Sequence, residues 1–532
     1  MQVGSDSLKG VSFFIASHGA EPLASEGNDM ADAPSGGLIG ALDDVSLSRF
    51  HLRAVLVSGM GFFTDAYDLF IIGVASTLIK QDWHLDATRL ALLNATMLGA
   101  ACLGALSFGR VADLIGRKRV YWVVAAVMVV ASIGSALAPS FWVLIGFRFL
   151  LGLGIGGDYP VSAVLMTEYA NRKNRGRLVG LVFSTQALGL IVGPLIALAL
   201  LGAGTSSDLT WRLLLAFGAI PAGAVVYLRS RMPESPRYQV QVQGQHATAH
   251  QQLGHFTNGA IGGTPLSAAA FSGAALSGTG VTDRAAGAAG AAGDTGPQAR
   301  IGLREFLTTR RFLVLLSGTA GCWFLLDYAY YGNTISTPQI IKLISPTAST
   351  MTTIAIQLAI FVVAAVPGYI LGIARIDRIG HRRLQLVGFV MMALCFAVIG
   401  LAPGMTTAVL PFMIAYGISY FFTEFGPNMT TFVLPSELFP VSMRATGHGI
   451  SAGIGKFGAF VGVFLFPVLQ VHLGLRYTLL LAGFISAAGA LLTLVLPEPS
   501  GRSLEEISAG DMPIAAELLL AESGEKAQTT GS

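Results

Sequence analysis

Twelve long apolar runs constrain this chain more than any other feature. They fall at roughly 54–79, 90–112, 119–138, 141–168, 178–203, 211–229, 312–337, 352–374, 385–403, 407–434, 444–471 and 476–496. Each can cross a bilayer core as a helix of about 20 residues, and each is far longer than the ~10 residues of a spanning strand. Lipid offers no hydrogen-bond partners, so a spanning backbone must satisfy its own polar groups, which a helix does within one segment. The expectation is an all-α polytopic membrane protein with twelve transmembrane helices. Of 532 residues, 53% are hydrophobic and 12% charged, about half the charge usual in soluble domains, which argues against a soluble enzyme. A net charge of +3 is too small to suggest nucleic acid as a partner. Cys102, Cys322 and Cys395 lie in apolar runs at unrelated spacings and read as buried free thiols.

Lys and Arg set the expected orientation. Arg110, Arg117, Lys118 and Arg119 follow the second run, Arg172, Lys173, Arg175 and Arg177 the fourth, and Arg375, Arg378, Arg382 and Arg383 the eighth. The alternate loops hold little beyond Lys80, Arg89, Lys342 and Arg476. The basic loops and both termini are therefore expected in the cytoplasm, with the protein multi-pass in the cell membrane. Residues 1–50 lack the basic start and apolar core of a signal peptide and read as a disordered tail. Residues 51–230 and 311–497 are the expected N- and C-terminal helical units. Residues 231–310 form a low-complexity cytoplasmic loop, and 498–532 a second cytoplasmic tail. His246, His250 and His255 recur in that loop at helix-like spacing, but in so polar a tract they define no metal site. No metal, cofactor or obligate protein partner is assigned.

The chain repeats itself. Asp113, Gly116, Arg117 and Lys118 return as Asp377, Gly380, His381 and Arg382, 264 residues later. Glu168 and Arg175 return as Glu437 and Arg444, offset by 269. Pro233-Glu234 returns as Pro497-Glu498, again offset by 264. Each pair follows the same span of its half, which means parallel repeats about an axis along the membrane normal. Gly109–Lys118, the Pro-Glu-Ser-Pro-Arg motif at 233–237 and the Pro-Glu-Pro-Ser-Gly-Arg motif at 497–502 resemble the major facilitator superfamily over nearly all of residues 50–505. That resemblance implies two six-helix bundles, related by a pseudo-twofold axis, rocking around a central site. Asp113, Arg117, Glu168, Arg175, Asp377, Arg382, Glu437 and Arg444 are then candidates for ion pairs that hold one gate shut. The alternative is that they only orient loops and anchor helix ends.

Ionisable residues inside a membrane are costly, which makes them the default functional candidates. Asp65 and Asp68 share one face of the first span, and two anions so close cannot both stay ionised cheaply. The fourth span reads Gly152-Leu-Gly154-Ile-Gly156-Gly157-Asp158-Tyr159. Its glycines formally match a dinucleotide-binding fingerprint but lack the strand it requires, so close helix packing explains them better. Gln186 adds an amide in the fifth span. Trp323, Asp327 and Tyr331 form one stripe of the seventh. Glu424 and Asn428 lie a turn apart in the tenth, and Lys456 stands alone among glycines in the eleventh. So buried a lysine needs an anion, which could be a substrate, Asp65 or Asp327. One cation among acids, amides, hydroxyls and an indole suits a small oxyanion that itself carries protons. A proton-free oxyanion would be repelled by the acids, and a neutral sugar would not need the lysine.

Gly59–Asp68, Gly154–Pro160 and Trp323/Asp327/Tyr331 resemble the phosphate:proton symporter branch of the superfamily. The resemblance implies a proton-coupled importer of inorganic phosphate, with Tyr159, Gln186, Trp323, Asp327, Tyr331, Asn428 and Lys456 as substrate contacts. It implies proton traffic through Asp65, Asp68 and Asp158, with protons and membrane lipid as further partners. One departure matters: many relatives have a Glu early in the third span, where this chain reads Tyr121-Trp-Val-Val124. A proton step assigned to that Glu runs elsewhere here or is absent. A proton symporter for an organic acid or sugar, and a transporter-like nutrient receptor, are the alternatives. No nucleophile–base pair or phosphate-cradling loop supports an enzyme.

Overall fold

The computed structural model describes residues 43, 47–230, 234–243 and 301–509. Most of the N-terminal tail, the loop with its three histidines, and the end of the C-terminal tail lie outside these residues. The described residues are helical, with no strand among them. The spans are α1 (Arg49–Trp83), α2 (Ala87–Ile115), α3 (Arg117–Ala136), α4 (Phe141–Tyr169), α5 (Arg175–Gly202) and α6 (Ser207–Arg229), then α7 (Arg310–Ile344), α8 (Thr350–Ile379), α9 (His381–Leu401) and α10 (Val409–Leu438). The last long helix, Val441–Thr493, has 53 residues, more than twice the length that one span needs. Gly474, at φ 76° and ψ 164°, breaks it into α11 (444–473) and α12 (475–493). Twelve spans thus form two six-helix bundles.

Local chemistry sets several helix starts. Asp86 accepts from Arg89 N at 2.7 Å to open α2, and Ser349 accepts from Thr352 N at 3.0 Å to open α8. The repeat has a structural meaning at α3 and α9. Gly116 and Gly380 precede them at φ 100° and 95°, a left-handed region that favours glycine. Glu234 then accepts from Lys118 N at 3.3 Å, and Glu498 from His381 N and Arg382 N at 2.9 and 3.0 Å. Each Pro-Glu motif therefore places an anion at a helix N-terminus, where the dipole favours it.

The α4 glycines pack as the sequence suggested. A side-chain carbon at Gly152 or Gly156 would overlap the Met97 or Ala101 carbonyl of α2. The span stays helical throughout, with Pro160 inside it.

At the basic-loop end the halves meet through reciprocal contacts. Arg175 Nε lies 3.1 Å from Glu437, and Arg444 Nη1 lies 3.6 Å from Glu168, all four side chains buried. Asp113 accepts from Thr446 N and Oγ1 at 2.6 Å, while Asp377 accepts from Arg177 N at 3.0 Å. Each aspartate thus reaches the first turn of a helix in the opposite half. Arg382 instead stays within its own half, donating to Leu494 O at 2.7 Å. The Arg117 side chain lies outside the described residues. A further buried arginine, Arg237, bridges Asp43 at 2.6 Å and Glu505 at 2.5 Å. Burial pushes the Glu505 carboxyl up, but the Arg237 guanidinium outweighs it and holds the group below its usual range.

Thr167 and Ser436, symmetry mates in the repeat, meet across the halves with their oxygens 2.8 Å apart. In a variant cleared of native cysteines, Thr167→Cys with Ser436→Cys should cross-link on oxidation. If the halves separate here during a cycle, solute uptake should fall at least tenfold and return on reduction. Full uptake by cross-linked protein would show that this seam stays closed.

Candidate functional site

The centre of the bundle is organised around Lys456 on α11. Its Nζ donates to Asp327 Oδ2 at 2.9 Å and to the Tyr331 hydroxyl at 3.0 Å. It also lies 4.7 Å from the Tyr159 ring centre and 4.3 Å from that of Tyr331, within cation–π range. Of the partners the sequence left open, Asp327 is the one bonded. The α7 stripe holds, since Trp323, Asp327 and Tyr331 are all buried on this side. Because Tyr159 comes from α4, the lysine draws both halves together.

A second polar cluster lies between α5, α8 and α10. Gln186 Nε2 donates to the Tyr369 hydroxyl. Asn428 Nδ2 reaches the same hydroxyl at 2.9 Å and Glu424 Oε2 at 2.5 Å. Gly426, with ψ −96°, breaks α10, and Pro427 opens the segment that carries Asn428. Tyr369 was not singled out in the sequence, because a tyrosine in an apolar run carries no signal of its own.

The three candidate proton residues have different surroundings. Asp158 forms a two-point ion pair with Arg229 of α6, at 2.6 and 2.8 Å. It therefore turns away from its neighbour Tyr159, about 100° round the helix. Asp65 is fully buried, and neither of its carboxylate oxygens has a hydrogen-bond donor. Asp158, Arg229, Asp68 and Lys456 are the charged groups around it. Asp68 lies beside Arg148 of α4, whose Nη2 donates to the Asp68 carbonyl at 2.8 Å. Both arginines escaped the sequence reading: Arg229 sits at the end of its apolar run and resembles a loop charge, and Arg148 lies about two turns inside the fourth run, where it was not singled out.

Aromatic layers close the centre on two sides. Towards the basic-loop end, Phe432 packs on Phe62 at 4.8 Å, Phe183 at 4.7 Å and His448 at 5.1 Å, with Trp323 at 6.2 Å. On the other side, Phe70 stacks on Tyr331 at 5.2 Å and 8° between planes. About one turn beyond Phe70 along α1, a cavity of about 350 Å³ is lined by residues including Val74, Thr77, Gln339 and Lys342. A central charged cluster, sealed by rings and by cross-half ion pairs, within two parallel six-helix repeats, defines a membrane transporter.

The chain belongs to the major facilitator superfamily, through the sugar (and other) transporter family, which matches residues 54–510. It is 35% identical over 537 residues to the probable inorganic phosphate transporter 1-6 of Arabidopsis thaliana, covering 91% of this chain and 98% of that relative. It is 35% identical over 537 residues to inorganic phosphate transporter 1-6 of Oryza sativa subsp. japonica, covering 88% and 94%. Among solved structures it is similar to the proton:xylose symporter XylE bound to 6-bromo-6-deoxy-D-glucose, with a TM-score of 0.70 and 18% identity over 86% of this chain and 98% of that one. A partially occluded inward-open form of XylE from E. coli matches at a TM-score of 0.65 and 17% identity, over 85% and 99%. At these identities the likeness is one of fold.

Proposed function

We propose that this protein imports inorganic phosphate together with protons across the cell membrane by alternating access. The observation that carries the reading is the Lys456 cluster, in which a buried ammonium is held by Asp327 and Tyr331 between the halves. A buried cation is costly and needs an anion. An entering phosphate can take over Lys456 while its own O–H groups donate to Asp327, so charge and protons are both matched. Tyr159, Trp323, Tyr331, Gln186 and Asn428 supply further hydrogen-bonding groups. The names of the relatives support phosphate. The fold likeness to a xylose symporter does not decide substrate, and a neutral sugar has no charge for Lys456 to meet.

Asp65, Asp68 and Asp158 carry the coupled proton, with Asp65 the principal carrier. Units 51–230 and 311–497 rock as bodies, and pairs such as Arg175–Glu437 and Arg444–Glu168 hold the cytoplasmic gate. The basic loops, 231–310 and both tails face the cytoplasm.

The test is uptake of labelled phosphate into proteoliposomes with and without an inward proton gradient. The gradient should raise uptake severalfold, with arsenate competing and sulfate and glucose not. Competition by glucose, or uptake indifferent to the gradient, would overturn the reading.

A further inference from the structure

Tyr121, the departure noted in the third span, is buried at the middle of a hydrogen-bonded chain. Asp158 Oδ1 lies 3.0 Å from Ser162 Oγ. Ser162 Oγ lies 3.1 Å from the Tyr121 hydroxyl, which in turn donates to Ser58 Oγ at 3.1 Å. All four residues are buried. Ser58 sits about 10 Å along α1 from Asp65, by the helical rise, on the side of the basic loops. The chain therefore runs from the layer of the proton-carrying acids towards the cytoplasmic end, and each hydroxyl in it can donate and accept.

Arg229 stands over its entrance. The guanidinium pairs with Asp158 and lies 3.6 Å from the Tyr121 ring centre. It fills the space left by Gly61, one turn before Asp65 on α1. One cation thus stands near two acids, bonded to Asp158 while Asp65 has no donor.

We propose that Asp158, Ser162, Tyr121 and Ser58 are the proton's exit path, with Arg229 as its switch. This rests on the reading of the protein as a proton symporter. Asp65 releases its proton to Asp158 as the guanidinium moves from Asp158 to Asp65. One O–H bond breaks and one forms, and the summed charge of the three groups does not change. Asp158 then donates to Ser162, Ser162 to Tyr121, Tyr121 to Ser58, and Ser58 to water admitted when the basic-loop end opens. Each O–H bond broken is matched by one formed on the next oxygen, and the hydroxyls rotate back afterwards. The tyrosine hydroxyl relays a proton without adding a third acid beside Arg229.

Tyr121→Phe tests this by removing one oxygen while keeping the ring under Arg229. In proteoliposomes, an imposed phosphate gradient should drive lumenal acidification at least tenfold more slowly than in wild type, read with a trapped pH dye. Phosphate exchange at equal pH should stay within twofold. Ser58→Ala, which leaves the Arg229–Tyr121 stack untouched, should show the same split and provides the reading if Tyr121→Phe folds poorly. Wild-type rates of acidification in both variants would overturn the path. So would loss of exchange in parallel with acidification, which marks a structural role. Failure of the wild-type protein to exchange phosphate would instead sink the phosphate reading itself.

Discussion

Replacing Lys456 by alanine is expected to weaken phosphate binding and uptake by at least a hundredfold, with the protein still inserted and folded. Lys456 Nζ is bonded to Asp327 and Tyr331 and lies over two tyrosine rings, so its removal takes away the cation that Asp327 pairs with. Leaving a buried charge unpaired costs about 3–5 kcal/mol, and each 1.4 kcal/mol is a tenfold change in affinity. The same loss falls on Asp327, which would then be a buried acid without its cation. Lys456→Ala with Asp327→Asn removes both charges together and separates the two effects: the stability lost in the single variant should return and phosphate binding should not. Equilibrium binding of labelled phosphate to purified protein is the measurement. Wild-type affinity in the single variant would reassign Lys456 to a structural ion pair.

Asp65→Asn should abolish accumulation against a gradient while leaving phosphate counterflow within about threefold of wild type. The asparagine preserves size and position but cannot exchange a proton, and the Asp65 carboxylate accepts no hydrogen bond from Lys456. A buried carboxylate with no donor on either oxygen is expensive as an anion, so Asp65 is suited to gain and lose a proton as Arg229 leaves or approaches. Asp68→Asn should be milder, because Asp68 lies beside Arg148, away from the Asp158–Arg229 pair. The decisive quantity is the steady-state ratio of phosphate inside to outside under a proton gradient. If the doubly neutralised protein still concentrates phosphate, coupling does not run through this face of α1, and Asp158 becomes the leading candidate.

What the sequence determined by itself follows from lipid as a solvent. A backbone in hydrocarbon must close its hydrogen bonds locally, so the twelve spans could be read from apolar length alone, and the seven-residue step from Glu168 to Arg175 could be matched to that from Glu437 to Arg444. The cost of an isolated buried charge likewise marked Asp65, Asp158, Asp327 and Lys456. Partner choice was decided by tertiary structure. Lys456 bonds Asp327 rather than Asp65, and Asp158 turns to Arg229 while its neighbour Tyr159 faces Lys456. Glu168 reaches Arg444 and Arg175 reaches Glu437, each across the halves. Tyr369 joins Gln186 to Asn428 although nothing in an apolar run distinguishes it. These pairings link residues far apart in the chain. Helical periodicity states which face a side chain occupies, but which face of which other helix meets it depends on how the bundles pack.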